Sequence, residues 1–177
     1  EPSALHHGGR FFQLADLLGV DEELGFTLST DKYFKEALPE HFITQDRTTD
    51  FDFGESMKNI YALTEHTEIV EYSNNEVHIA ANRYGKGRGV YIAGLPYSYE
   101  NTRLLMRAMF YAASKEAQYK VWHADNILCE VHAYPDAGKY AIVNNSNEIQ
   151  KTMVYDGQGS CTEYTLEPCA ILWKNIK

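Results

Sequence analysis

The residues in this chain that could do chemistry are few, and each has a plainer competing role. His6 and His7, close to Glu1, have the right types for a metal or acid–base role. Adjacent side chains point apart in a helix or strand, so the pair is poorly placed to grip one ion together, and an ordinary loop is the alternative. Gly85, Gly87 and Gly89 could cradle a phosphate. The spacing is not G-x-G-x-x-G, however, and the glycines run into an apolar stretch that reads as a strand, so the helix N-terminus that would hold phosphate is missing. A hairpin turn is the better reading. No G-x-S-x-G elbow positions a nucleophile. Asp50 and Asp52 would be the carboxylates of glycoside chemistry or solvated loop charges. Trp122, His123 and Trp173, with 13 tyrosines, could offer flat faces to a pyranose ring or simply pack a core. No metal-ligand spacing occurs, and no metal is expected.

Cys129, Cys161 and Cys169 form an odd set without C-x-x-C. They read as buried free thiols of a reduced, cytoplasmic protein, with one disulfide plus one free thiol as the alternative. Asn144-Asn145-Ser146 matches a glycosylation sequon, which has no meaning in that compartment.

The elements that must position these residues fall into two textures. Phe11, Leu14, Ala15 and Leu18 repeat at helical spacing and predict a helix over 10–18 that ends at Gly19. Residues 20–57 read as irregular. Strands are expected at 59–63, at 68–72, at 76–84 with Val77, Ile79 and Ala81 on one face, and at 90–94. The stretch 99–117 predicts a helix with Ser98 as N-cap and Glu100 in its first turn. Its apolar face is Leu104, Leu105, Ala108, Met109, Ala112 and Ala113, widened by Met106 and Phe110. A strand, short loop and helix of this kind would close an α/β layer. After residue 117 the helical period disappears. Short alternating runs at 127–133, 139–144, 151–155, 161–166 and 170–174, separated by turn residues, predict a small antiparallel β-sandwich. The expected domains are therefore 1–117 and 118–177.

Composition excludes several classes. At 44% hydrophobic, 23% charged and 13% aromatic, the chain can bury a real core. Its net charge is -9, and neither part offers the basic face that nucleic acid needs. No apolar run reaches the ~18 residues of a membrane span. The start at Glu1-Pro2-Ser3, without Met, reads as that of an excised piece.

Four segments carry a family resemblance: Glu1-Pro2-Ser3-Ala4, 26–33 (FTLSTDKY), 82–96 (NRYGKGRGVYIAGLP) and 130–145 (EVHAYPDAGKYAIVNN). Over nearly its whole length the chain resembles the 1,3-β-galactosyl-N-acetylhexosamine phosphorylases, also called lacto-N-biose or galacto-N-biose phosphorylases. The resemblance implies an inverting enzyme that cleaves a β-1,3-galactosyl disaccharide with inorganic phosphate, without a cofactor, giving α-galactose 1-phosphate. It implies that the general acid lies in an N-terminal barrel, so no catalytic residue is expected here. Residues 1–117 would be the latter part of a middle α/β domain with an amidotransferase-like, β-galactosidase trimerisation-like fold. Expected partners are the barrel and a second copy of the protein. Loops at the carboxyl ends of strands face ligands in open α/β sheets, and 1–10 would be such a loop. On that ground Glu1, His6, His7 and Arg10 are candidate contacts to sugar or phosphate.

Two other readings stand beside this one. The chain would serve as an independent carbohydrate-binding or oligomerisation module of another multidomain glycosidase. Alternatively it would be an amidotransferase-like hydrolase, which needs a nucleophilic cysteine on a strand-to-helix turn; all three cysteines fall in the β-rich tail.

Overall fold

The computed structural model describes residues 10–23, 36–45 and 47–176. The chain divides into two compact units, Glu1–Ser114 and Lys115–Lys177. Every strand pair among the described residues is antiparallel, and helices are few.

In the first unit the expected helix over 10–18 shrinks to one turn, α1 (Ala15–Leu18), followed by β1 (Val20–Glu22). The reason is Asp21. Its buried carboxylate accepts from the backbone N–H groups of Phe11 (3.1 Å) and Phe12 (2.9 Å), which bends the chain ahead of the helix. Gly19 does cap α1, at φ 74°. Asn82 reaches the end of α1 as well, its amide donating to the carbonyls of Asp16 (3.0 Å) and Leu17 (3.2 Å). These otherwise orphaned acceptors explain a buried asparagine in a strand.

β2 (Ile60–Ala62) pairs with β1. β3 (Glu68–Ser73), β4 (Glu76–Tyr84) and β5 (Gly87–Ile92) form a meander with β4 in the centre. The β3–β4 turn is Asn74-Asn75, both at positive φ, as a two-residue hairpin of this hand demands. The sheet is buried on both faces. On one side Val77 and Ala80 join Phe12, Val20 and Ile60 in a cluster. On the other, Ile79 and Ala81 meet Ile43, Leu104, Ala108 and Tyr111. Val77 therefore does not share a face with Ile79 and Ala81. The β3–β4 register shifts around Glu71, and such a bulge breaks strict alternation.

α2 (Tyr99–Ala112) starts at Ser98, whose hydroxyl accepts from the Asn101 N–H at 3.0 Å. It stops at Ser114, which has φ 57°. Leu104 and Ala108 are buried as expected, but Leu105, Met106 and Met109 are exposed, and Glu100, Asn101 and Arg107 are buried instead. The buried polar groups have local work. Glu100 accepts from the Thr48 N–H (2.8 Å), Asn101 donates to the Asp52 and Pro96 carbonyls, and Arg107 donates to the Phe42 carbonyl (2.9 Å). Each ties irregular chain to the helix, and a burial rule based on hydrophobicity alone misses them.

The second unit contains β6 (Trp122–Ala124), β7 (Cys129–Tyr134), β8 (Lys139–Asn144), β9 (Gln150–Asp156), β10 (Cys161–Leu166) and β11 (Ile171–Asn175). They make two three-stranded sheets, β10-β9-β6 and β11-β8-β7. Ala124, Val154 and Leu166 from one sheet meet Cys129, Tyr140 and Ile142 from the other in a single core. This is the small sandwich that the turn spacing predicts, with β6 as an additional strand too short to show a period. Of the three thiols only Cys129 is buried; Cys161 and Cys169 are exposed, because they sit on an edge strand and a turn.

Candidate functional site

Of the four sequence candidates, Glu1, His6 and His7 lie outside the described residues. Arg10 is half-buried just before α1, with its Nε 3.7 Å from Asp16. The aromatic candidates do not converge. Trp122 packs 5.3 Å from Tyr140, His123 lies between Tyr119 and Tyr155, and Trp173 is exposed beside Tyr134. Asp52 shapes its own loop by accepting from the Gly54 N–H at 2.8 Å, and Asp50 faces Arg47. The Gly85–Gly89 stretch is the β4–β5 hairpin. Gly85 supplies the turn's positive φ, whereas a Cβ on Gly89 would collide with the Leu17 carbonyl. Asn144 of the sequon is buried.

The first unit instead assembles a cluster that no local motif announces. His41, just before the short helical turn Phe42–Thr44, accepts the Ile43 N–H on Nδ1 at 3.1 Å. A neutral ring accepting there carries its proton on Nε2, and Nε2 is 3.4 Å from Glu68 Oε2 on β3. The same oxygen accepts from the Tyr111 hydroxyl at 3.2 Å, near the end of α2. The His41 and Tyr111 rings are 4.9 Å apart. The Arg88 guanidinium of β5 lies 4.5 Å from the Tyr111 ring and donates to the Tyr111 carbonyl. Burial, then the Glu68 charge and hydrogen bond, push the Tyr111 phenol up; Arg88 and Arg83 oppose this. The helical turn, β3 and α2 thus meet at one carboxylate, and β5 joins them through Tyr111.

Glu68 also borders an open cleft of about 560 Å³, lined among others by Glu36, Glu65, His66, Thr67 and Arg83. With three carboxylates, one imidazole and one guanidinium, the cleft can hydrogen-bond a polar ligand or chain segment. Among the described residues its lining holds neither the serine nor the cysteine of a nucleophilic mechanism. Among the described residues no group of three His, Cys, Asp or Glu side chains could hold a metal ion. No helix there is long and apolar enough to cross a membrane.

Comparison with known proteins extends this picture. Residues 1–117 match the model of the lacto-N-biose phosphorylase central domain, and residues 122–174 match that of its C-terminal domain. Two 1,3-β-galactosyl-N-acetylhexosamine phosphorylases of Lachnoclostridium phytofermentans are 49% and 46% identical, over 98% and 99% of this chain. A third phosphorylase of that name, from Bifidobacterium longum subsp. longum, is 40% identical over 94% of the chain. The chain spans only about a quarter of their length, 24%, 24% and 26% respectively. With both domain models matched in succession, the chain belongs to the lacto-N-biose phosphorylase family.

Proposed function

We propose that this chain is the non-catalytic C-terminal part of an inverting galactosyl phosphorylase, an enzyme of the glycosyltransferase class. The parent would take a β-1,3-galactosyl-N-acetylhexosamine and inorganic phosphate. A phosphate oxygen attacks the anomeric carbon as the glycosidic C–O bond breaks. A carboxylic acid in the N-terminal barrel protonates the leaving N-acetylhexosamine, and α-galactose 1-phosphate is released. The observation that carries this reading is the ordered match of the central and C-terminal family models, joined to relatives that bear the phosphorylase name.

On this reading residues 1–117 are the latter part of an amidotransferase-like middle domain and 118–177 a closing β-domain. Their role is to support the barrel and a second copy of the protein. The enzyme works in the cytoplasm with phosphate as co-substrate and no other cofactor, and takes neither nucleic acid nor membrane as partner. Glu1, His6, His7 and Arg10 approach the barrel's sugar or phosphate from the side.

The test is phosphorolysis of galactosyl-β-1,3-N-acetylglucosamine. The 177-residue chain alone is expected to release no galactose 1-phosphate, while the full-length protein releases it. Product from the chain alone would overturn the non-catalytic assignment. In the full-length protein, alanine at Glu1, His6, His7 and Arg10 together should raise KM for phosphate or sugar about tenfold, roughly the loss of one charged hydrogen bond. Unchanged kinetics would remove these residues from the site.

A further inference from the structure

The second unit holds a small polar cavity that no role described so far uses. It opens at one end of the sandwich, between the two sheets, where the β9–β10 turn faces the end of β11. Its volume is about 160 Å³. Tyr140 of β8 reaches it from the core, its hydroxyl 3.4 Å from that of Tyr164 on β10. Burial, then the Tyr164 contact, push the Tyr140 phenol up, so it remains a neutral O–H at physiological pH. Asp156, at the end of β9, accepts on Oδ1 from the N–H groups of Gln158 (3.0 Å) and Ser160 (3.2 Å). These bonds fix the turn that forms one wall.

The lining selects a ligand class. Among the described residues, seven of the eight lining side chains carry a hydroxyl, carboxylate or carboxamide and none is lysine or arginine; the Lys174 ammonium lies behind the lining, 5.2 Å over the Tyr164 ring. Phosphate groups are therefore disfavoured, and one carboxylate is too few for a hard cation. Hydroxyls and carboxamides both donate and accept, which matches the paired donor–acceptor character of sugar hydroxyls. Ile176, with the part of the Tyr164 ring that Lys174 leaves uncovered, supplies the apolar surface that the C–H face of a pyranose requires, while the buried Tyr140 contributes its hydroxyl. The space equals about five waters at ~30 Å³ each and falls below the roughly 300 Å³ at which pockets for larger ligands begin. One six-membered ring fits; a disaccharide does not.

We propose that this cavity between the sheets is a binding subsite for a single hexopyranose unit. The inference rests on the sandwich alone and stands whether or not the parent catalyses phosphorolysis.

Hydrogen exchange of the full-length protein, read peptide by peptide, tests it. Galactose and N-acetylglucosamine would each be added at about ten times a millimolar dissociation constant, with open-chain sorbitol as control. The expected result is protection of peptides covering 156–164 by at least one hexose and not by sorbitol. Asp156→Asn, which retains an Oδ1 acceptor for the turn, and Thr162→Val at the rim should each weaken that protection about tenfold, the worth of one hydrogen bond. Three outcomes would overturn the proposal: no protection by either hexose, equal protection by sorbitol, or protection unchanged in both variants.

Discussion

Asn144 uses its whole side chain inside the sandwich. Its amide donates to the carbonyls of Glu148 (2.7 Å), Glu167 (2.9 Å) and, more weakly, Leu166 (3.4 Å). Its carbonyl accepts from the N–H (2.9 Å) and hydroxyl (2.8 Å) of Ser146. One residue therefore anchors both the chain leaving β8 and the chain leaving β10, and the sequon is a structural clamp. Asn144→Ala would leave several buried backbone acceptors unmatched, at a cost of about 2–3 kcal/mol. A urea titration should show a lower midpoint for this variant, whereas Asn145→Ala, at the exposed neighbouring position, should shift it far less. Nothing in the sequence distinguishes Asn144 from a glycosylation acceptor, because the contacts that define its role include the carbonyls of Leu166 and Glu167, more than twenty residues away.

Among the elements, the β4–β5 hairpin shows which patterns a sequence exposes. β4 is legible from alternation, the turn from glycine and β5 from a short apolar run, because those signals are local, although β5 begins at Gly87 and not at 90. The bulge that sends Val77 to the opposite face from Ile79 is not, since it arises from pairing with β3. α2 divides in the same way. Ser98 and the position of the helix are readable, but its inward face carries Asn101 and Arg107 while Met106 and Met109 stay outside. The His41–Glu68–Tyr111 cluster is illegible for the same reason: its members stand 27 and 43 residues apart and meet only through packing. Two of the hairpin's three glycines make this measurable. Gly85 has open space around it and only its φ of 57° to defend, so Gly85→Ala should cost about 1 kcal/mol. Gly89 faces the Leu17 carbonyl, so Gly89→Ala must push α1 away from the sheet and should cost about 2–3 kcal/mol. Thermal denaturation of the two variants should rank them in that order; a reversed order would mean that α1 does not pack on β5 this way.

Among the described residues of the whole molecule, each of the three apolar clusters carries one tyrosine whose phenol is shifted upward. Tyr91 is in the first, Tyr111 in the second and Tyr140 in the third, and burial is the leading cause each time. A phenol with a raised folded-state pKa stabilises the fold below its unfolded value of about 10 and loses that contribution as pH climbs through the folded value. Both units should therefore weaken together above about pH 10. Phenolate absorbance should show these tyrosines ionising only as the protein unfolds. A smooth titration of all 13 tyrosines with the fold intact would contradict this. The thiols divide more sharply. Cys161 and Cys169 are open to reagent, while Cys129 is 1% exposed in the heart of the sandwich. The second unit thus contains its own chemical clock: two sulfurs mark the moment an alkylating agent arrives, and the third records how often the sheets part.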